Sequence, residues 1–310
     1  MKDFIGHENI IRSFDMAIAS EKLSHAHLIV GEDGLGKSVV AKDFALKILG
    51  KKDNKQYADI LEFRNSKKSI GVDEIRKIID ETNKKPYEGD KKVVIIYDGD
   101  KLTTQAQNAF LKTIEEPPKG VYIIILSENI EAILNTIRSR CQIHKLKRLS
   151  VDEIREFISK KYGDLDSKYI DIINTFSDGI PGRAEKFIED NVFNELRALI
   201  LDIIKKISEK NINNIIKYEE NLIKYKDFYE EILNIFLLYI RDIIMYKELG
   251  NDNYILNRDK IHEIKELSNM LSFKTLDLMI NVINETRYTL DSNVSASMTF
   301  DVMLLNMLEV

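Results

Sequence analysis

One stretch constrains the chain more than any other: Gly31-Glu32-Asp33-Gly34-Leu35-Gly36-Lys37-Ser38, which satisfies the pattern G-x-x-x-x-G-K-[ST] in full. Leu28, Ile29 and Val30 lead into it as a buried strand would, and Val39–Leu49 follows with apolar residues at helical spacing. That is the strand–loop–helix context in which this pattern makes a phosphate-binding loop. Gly31, Gly34 and Gly36 allow backbone N–H groups to turn inward onto phosphate oxygens, and the helix N-terminus adds partial positive charge. Lys37 is placed to reach β- and γ-phosphates, and the Ser38 hydroxyl to ligate Mg²⁺. The expectation is a nucleotide site holding ATP or ADP with Mg²⁺.

The surrounding chain reads as alternating strands and helices. An amphipathic helix is predicted over residues 8–23, then the strand into the loop and the helix after it. Asp59–Phe63 alternates like a short strand, a helix starts near Ile70 with Asp73 early in it, and Lys85–Asp90 is a loop. Val93–Tyr97 and Val121–Leu126 are continuous β-branched runs, the mark of strands buried on both faces. Thr103 or Thr104 caps a helix from about Gln105 to Glu116, which Pro117-Pro118 stops. That capped start could also meet a nucleic-acid phosphate. A helix near 130–138 leads to a last strand at Gln142–Leu146. The alternation predicts a parallel, doubly wound α/β sheet.

The character changes near 150. Ser150-Val151-Asp152-Glu153 has the form of a capping box. Short helices follow, interrupted at Gly179-Ile180-Pro181-Gly182. Beyond Gly182 the chain holds one glycine, Gly250, and no proline, while apolar residues such as Ile232, Phe236, Tyr239, Ile240 and Ile243 recur at helical period. The division expected is an α/β domain over 1–149, a helical lid over 150–190 and an all-helical domain over 191–310.

A phosphate loop needs an acidic partner on a neighbouring strand to hold Mg²⁺, and Asp98, directly after Val93–Tyr97, stands there. The other reading of Asp98 is a strand-ending turn with Gly99. The residue after the acidic partner is commonly a glutamate that polarises water. Here it is Gly99, which predicts nucleotide binding with poor hydrolysis. Asp100, if the strand continues, points to the opposite face.

Composition narrows the class. The chain has 46 basic and 51 acidic residues for a net charge of −5, so it lacks the basic surplus of a protein that coats DNA by itself. Cys141 is the only cysteine, which excludes disulfides and a cysteine-rich zinc module. Cys141 itself reads as a small packed residue, and His25, His27 and His144 as packing or hydrogen-bonding residues. Met1–Glu8 has no signal-peptide apolar core and no run approaches the length of a membrane span, so a soluble cytoplasmic protein is expected.

Further motifs carry a resemblance. Gln105–Pro118, ending in Glu115-Glu116-Pro117-Pro118, is similar to the signature helix of bacterial clamp-loader ATPases, and Ser139-Arg140-Cys141 resembles their Ser-Arg-Cys hallmark. Within that group the chain looks most like the delta-prime family of DNA polymerase III, through Gly179–Ala184, Tyr239–Ile244 and Thr286–Val294. The resemblance implies an AAA+ fold with a lid and a helical collar. It also implies assembly with gamma/tau and delta subunits in a loader that places the sliding clamp on primed DNA, without a membrane. Arg140 is then the arginine finger, acting in trans on a neighbour's nucleotide, with Arg138 as the rival. Arg183 corresponds to the sensor 2 arginine, Ser127 to sensor 1, and Phe4-Ile5-Gly6-His7 to the segment over the adenine. The relatives' four-cysteine zinc module cannot exist here. An active motor of the gamma/tau type is the alternative. A phosphate-loop kinase or GTPase is disfavoured, because Asn-Lys-x-Asp is missing and Ser-Arg-Cys would go unexplained.

Overall fold

Five short strands, each feeding a helix, account for the first half of the chain. The computed structural model describes residues 5–53, 55–64, 69–189, 191–210, 215–292 and 294–309. The described residues form two compact units, one containing the chain to Asp164 together with Ser177–Glu185, the other Leu165–Phe176 together with Lys186 onward. The residues expected to form the lid are apportioned between them.

In the first unit, helix α1 (Glu8–Ala19) precedes β1 (Ala26–Val30) and α2 (Lys37–Ile48). Then come β2 (Ile60–Phe63), α3 (Val72–Asn83), β3 (Lys92–Ile96), α4 (Thr104–Glu115), β4 (Val121–Ser127), a single turn α5 (Asn135–Arg138), β5 (Gln142–Lys145) and α6 (Val151–Tyr162). The sheet order is β2-β3-β4-β1-β5 with every neighbour parallel. Burial explains the β-branched runs. Val93 and Ile95 face one layer with Phe14, Val40 and Phe44 of α1 and α2. Val94 and Ile96 face the other with Ile75 and Ile78 of α3 and Phe110 and Ile114 of α4. Both faces of β3 therefore leave water, and alternation vanishes from the sequence.

Two histidines lie in the first of these layers. His27 Nδ1 and His144 Nε2 are 3.1 Å apart, and His27 is fully buried. Their rings meet the stacked pair Phe14 and Phe44, whose centroids are 3.5 Å apart. Burial pushes His27 down to about 3, with His144 adding to the shift, and burial alone pushes His144 down to about 4. His25 bonds the Ile114 carbonyl at 2.7 Å. All three serve the packing and hydrogen-bonding roles expected of them.

Several boundaries differ from expectation. Helix α1 ends at Ala19, because the Ser20 hydroxyl donates to the Met16 carbonyl and the chain turns left-handed at Glu21. The helix expected over 130–138 breaks into a 3₁₀ turn at Ile130–Ala132 and the single turn α5. The cause is Gln107, buried in α4, whose amide donates to the Leu102 and Ala132 carbonyls while its oxygen accepts from Leu134 N–H at 2.7 Å. Strand β3 starts one residue early, at Lys92, which is fully buried and spends its ammonium on the Glu81 and Lys84 carbonyls at the end of α3. It also ends at Ile96, so Asp100 does not alternate as a strand residue; it sits in a 3₁₀ turn, Gly99–Lys101. Thr103, not Thr104, caps α4 by accepting from Ala106 N–H. The capping box at Ser150 and Glu153 forms as predicted.

The second unit is helical among the described residues. Helix α7 (Ser167–Ser177) lies in it but for Ser177, and of α8 (Pro181–Glu189) only the residues from Lys186 on; then follow α9 (Asn191–Ser208), α10 (Ile215–Ile223), α11 (Tyr229–Leu249), α12 (Ile261–Met270), α13 (Phe273–Asp291) and α14 (Ala296–Glu309). Tyr239, Ile240 and Ile243 of α11 lie in its core. Asp242, beside them and wholly buried, accepts from Arg241, from Leu256 and Asn257 N–H, and from the Asn257 amide. Arg197 reaches the same loop through Asn257 and Asp259. A carboxylate satisfied on this many sides fixes the 250–260 loop to α11. Among the described residues no helix is long and apolar enough to cross a membrane.

Candidate functional site

Residues 31–38 join the carboxyl end of β1 to the start of α2, beside the end of β4 where the order of the sheet reverses. Open α/β sheets bind ligands in this place. Gly34 and Gly36 are left-handed, at φ 82° and 86°, which an L side chain would resist. Gly31 is needed for a different reason: a Cβ there would lie 3.0 Å from Leu146 Cβ. Lys37 Nζ donates to the Gly31 and Glu32 carbonyls at 2.8 and 3.0 Å.

A cleft of about 650 Å³ opens over the loop, lined by Gly34, Gly36, Lys37 and Ser38, by Asp98 after β3, and by Ile5, Phe157 and Pro181. Its size lies within the range of small-ligand sites. Of the Phe4–His7 segment, Ile5 borders it, and Phe4 falls outside the described residues. Asp98 is left-handed at φ 53° and pairs with Lys101 at 3.3 Å. The loop's glycines, Lys37, Ser38 and Asp98 thus line one cleft.

The start of α8 closes over the loop. Gly182 N–H donates to the Gly34 carbonyl at 2.9 Å, and a Cβ on Gly182 would lie 2.7 Å from Gly34 Cα. Arg148 adds a second tie, gripping both Glu32 oxygens at 2.7 Å and also pairing with Asp178. The Arg148 hydrogen bonds hold the Glu32 carboxyl below the usual range, with Arg183 and Lys37 contributing. Arg183 itself is exposed in the first turn of α8, near enough to act on Glu32 but not lining the cleft.

Ser127 does not reach the cleft. It is buried, its hydroxyl donates to the Asn129 carbonyl at 2.9 Å, and its carbonyl accepts from Gly31 N–H. The next residue, Glu128, lines the cleft instead. Its N–H is held by Asp100 Oδ1 at 2.9 Å. Burial raises the Glu128 carboxyl above the usual range; Lys37 opposes this, and Asp33, Asp100 and Asp98 reinforce it. Sequence reading missed Glu128 because β4 is buried on both faces and alternation could not say which residue emerges at its end.

Gly99 is packed against β4. A Cβ there would lie 2.6 Å from Ile125 Cγ2 and 3.0 Å from the Leu126 carbonyl oxygen. A side chain at this position would push the Ile125 methyl aside and press on the Leu126 carbonyl.

Arg140 lies apart from its own chain's cleft lining. Its Nε meets Glu115 Oε1 at 2.7 Å, and its Nη1 donates to the Thr136 carbonyl at 2.8 Å. Arg138 pairs with Glu131 at 3.2 Å and with Asn135. The Cys141 thiol is half-buried and pushed up to about 12 by burial, so it is inert as a nucleophile. Among the described residues no group of His, Cys, Asp and Glu is arranged to hold a metal ion by itself.

The family model described as DNA polymerase III, delta subunit matches residues 6–150, and that described as DNA polymerase III, delta subunit, C terminal matches residues 191–308. The DNA polymerase III subunit delta' of Bacillus subtilis (strain 168) is 23% identical across 94% of this chain and 93% of its own length. The subunit tau of the same organism is 26% identical over 92% of this chain, which spans only 57% of that relative. The subunit gamma of Buchnera aphidicola subsp. Schizaphis graminum is 25% identical over 98% of this chain and 94% of its length. Among solved structures, a DNA polymerase III gamma subunit-related protein of Thermotoga maritima superposes with a TM-score of 0.52 at 19% identity, covering 96% of this chain and 98% of that one. The Holliday junction branch migration motor RuvB of Thermotoga maritima gives 0.50 at 15% identity, over 99% and 88%. These likenesses establish an AAA+ fold, and the two family matches, spanning both the sheet domain and the helical one, establish more: the chain belongs to the clamp-loader family of DNA polymerase III.

Proposed function

We propose that the chain is a clamp-loader subunit of the delta-prime type, binding nucleotide with little or no hydrolysis and lending Arg140 to the nucleotide of an adjacent subunit. The observation that carries this reading is Gly99, which stands where a water-polarising glutamate is expected and packs closely against Ile125 and the Leu126 carbonyl. Glycine offers no side chain to take a proton or orient water. Gly31, Gly34 and Gly36 shape the loop, with Lys37 and Arg183 as the cationic groups toward the phosphates. Ser38 and Asp98 would hold Mg²⁺, which when bound neutralises phosphate charge. Ser127, buried at the end of β4, is tied to Asn129 and to Gly31 N–H. No zinc is needed.

The position of Arg140 supports the second half of the reading. Its guanidinium does not line its own cleft, and it sits on the surface where a neighbour can meet it. A guanidinium supplied in trans neutralises charge on a transferring phosphoryl group. The partners proposed are gamma/tau and delta subunits, with the helical residues 191–310 as the collar and 150–190 as the lid. The clamp and primed DNA are met through the complex, in the cytoplasmic replisome.

A motor of the gamma/tau type is the second reading, favoured by the complete phosphate loop with Lys37, Ser38 and Asp98 in one cleft. Steady-state ATPase of the isolated protein, with nucleotide binding measured alongside, decides between them. Binding without turnover is the expected result, and brisk turnover alone would establish the motor.

A further inference from the structure

Glu128 is a charge that the nucleotide reading leaves unused. It follows β4 directly, its backbone is fixed by Asp100, and its side chain lines the cleft with Lys37 and Ser38. Asp33 lines the same cleft and adds to its negative charge, while the following groups around Glu128 are engaged. Asp98 pairs with Lys101, Asp100 accepts from Glu128 N–H, and Arg64 stacks on Tyr97 at 3.7 Å and pairs with Glu62. Among the described residues the Glu128 carboxylate has no ion-pair or hydrogen-bond partner. It lies within electrostatic reach of Lys37, the cation placed for the β- and γ-phosphates.

We propose that Glu128 makes the cleft select a nucleoside diphosphate over the triphosphate. The inference rests on the nucleotide reading above. An ionised carboxylate only accepts hydrogen bonds, so it offers a terminal phosphoryl group no donor and meets it with like charge. A triphosphate brings about one more negative charge than a diphosphate, and that charge sits at the end of the chain which Lys37 serves. Repulsion of the competitor is an ordinary route to specificity. At the effective dielectric of a partly open site, with salt and Mg²⁺ screening, one such contact is worth about tenfold in affinity. A subunit of this kind would hold diphosphate as a standing part of its fold.

The test is calorimetric titration of the full chain with Mg·ADP and with the Mg complex of the β,γ-imido analogue of ATP. Wild type should bind the diphosphate more tightly. Glu128→Gln should strengthen binding of the triphosphate analogue about tenfold while changing ADP affinity less than twofold. Glu128→Ala should do the same, which separates removal of charge from a new amide contact. Equal affinities in wild type, or an unchanged ratio in both variants while ADP still binds, would overturn the inference. Failure of wild type to bind either nucleotide would instead remove the nucleotide reading, and this inference with it.

Discussion

Glu115 holds Arg140: the carboxylate at the end of α4 meets the arginine's Nε at 2.7 Å, joining the Glu-Glu-Pro-Pro and Ser-Arg-Cys motifs in one ion pair. Both side chains are about two-fifths exposed, so the pair adds little stability. Its effect is on aim. Arg140→Ala should leave the melting temperature of the isolated chain almost unchanged and reduce the clamp-stimulated ATPase of a reconstituted loader by roughly a hundredfold or more. Glu115→Ala should give a smaller loss with assembly intact. Full loader activity in Arg140→Ala would show that the finger lies elsewhere, with Arg138 next in line.

Restoring the missing glutamate should not create an ATPase. Gly99→Glu forces a side chain against Ile125 and the Leu126 carbonyl, and overpacking with a buried carboxyl costs about 3 kcal/mol or more. The expected outcome is a lower denaturation midpoint with no gain in turnover. A stable variant with brisk hydrolysis would refute this account of Gly99.

Lys37→Ala removes the ammonium that donates to Gly31 and Glu32. Nucleotide affinity should fall by roughly a hundredfold, with the far-ultraviolet spectrum unchanged. Unaltered binding by calorimetry would displace the site from the phosphate loop.

The histidine pair makes stability pH-dependent. His27 is held down to about 3 and His144 to about 4, against an ordinary 6.5. The unfolded chain therefore takes up protons near 6.5 that the folded chain refuses. Stability is fully present above that value and is lost as pH falls toward the folded values. At pH 5 each histidine costs about 2 kcal/mol. Urea denaturation at pH 7 and pH 5 should show the loss, and His27→Phe should flatten the dependence even if it lowers stability overall. An equal slope in that variant would assign the effect to other groups.

Asp242→Ala should unsettle the helical unit, because Asn257, Leu256 N–H and Arg241 would all lose their acceptor. Breaking a buried charged network in this way costs about 3–5 kcal/mol. A shift in thermal midpoint of less than a degree would mean the loop is held by other contacts.

The sequence by itself determined the phosphate loop, the parallel sheet and the helical second half. Those features are encoded locally: glycine spacing, β-branched runs and helical periodicity each follow from residues near one another in the chain. It could also name Lys37 and Asp98 as candidates, because each lies within or directly after a local pattern, and Arg140, because Ser139-Arg140-Cys141 resembles a family motif. Only the tertiary structure decided what depends on neighbours distant in sequence. Gln107 breaks the helix expected at 130–138 by bonding across to Ala132 and Leu134. Ser127 turns its hydroxyl to Asn129 and yields its place in the cleft to Glu128. Gly99 packs closely against Ile125 and Leu126 of β4, a contact no local pattern announces. Strands buried on both faces erase the alternation that would tell inward from outward residues, so the geometry at their ends is settled only when the sheet closes.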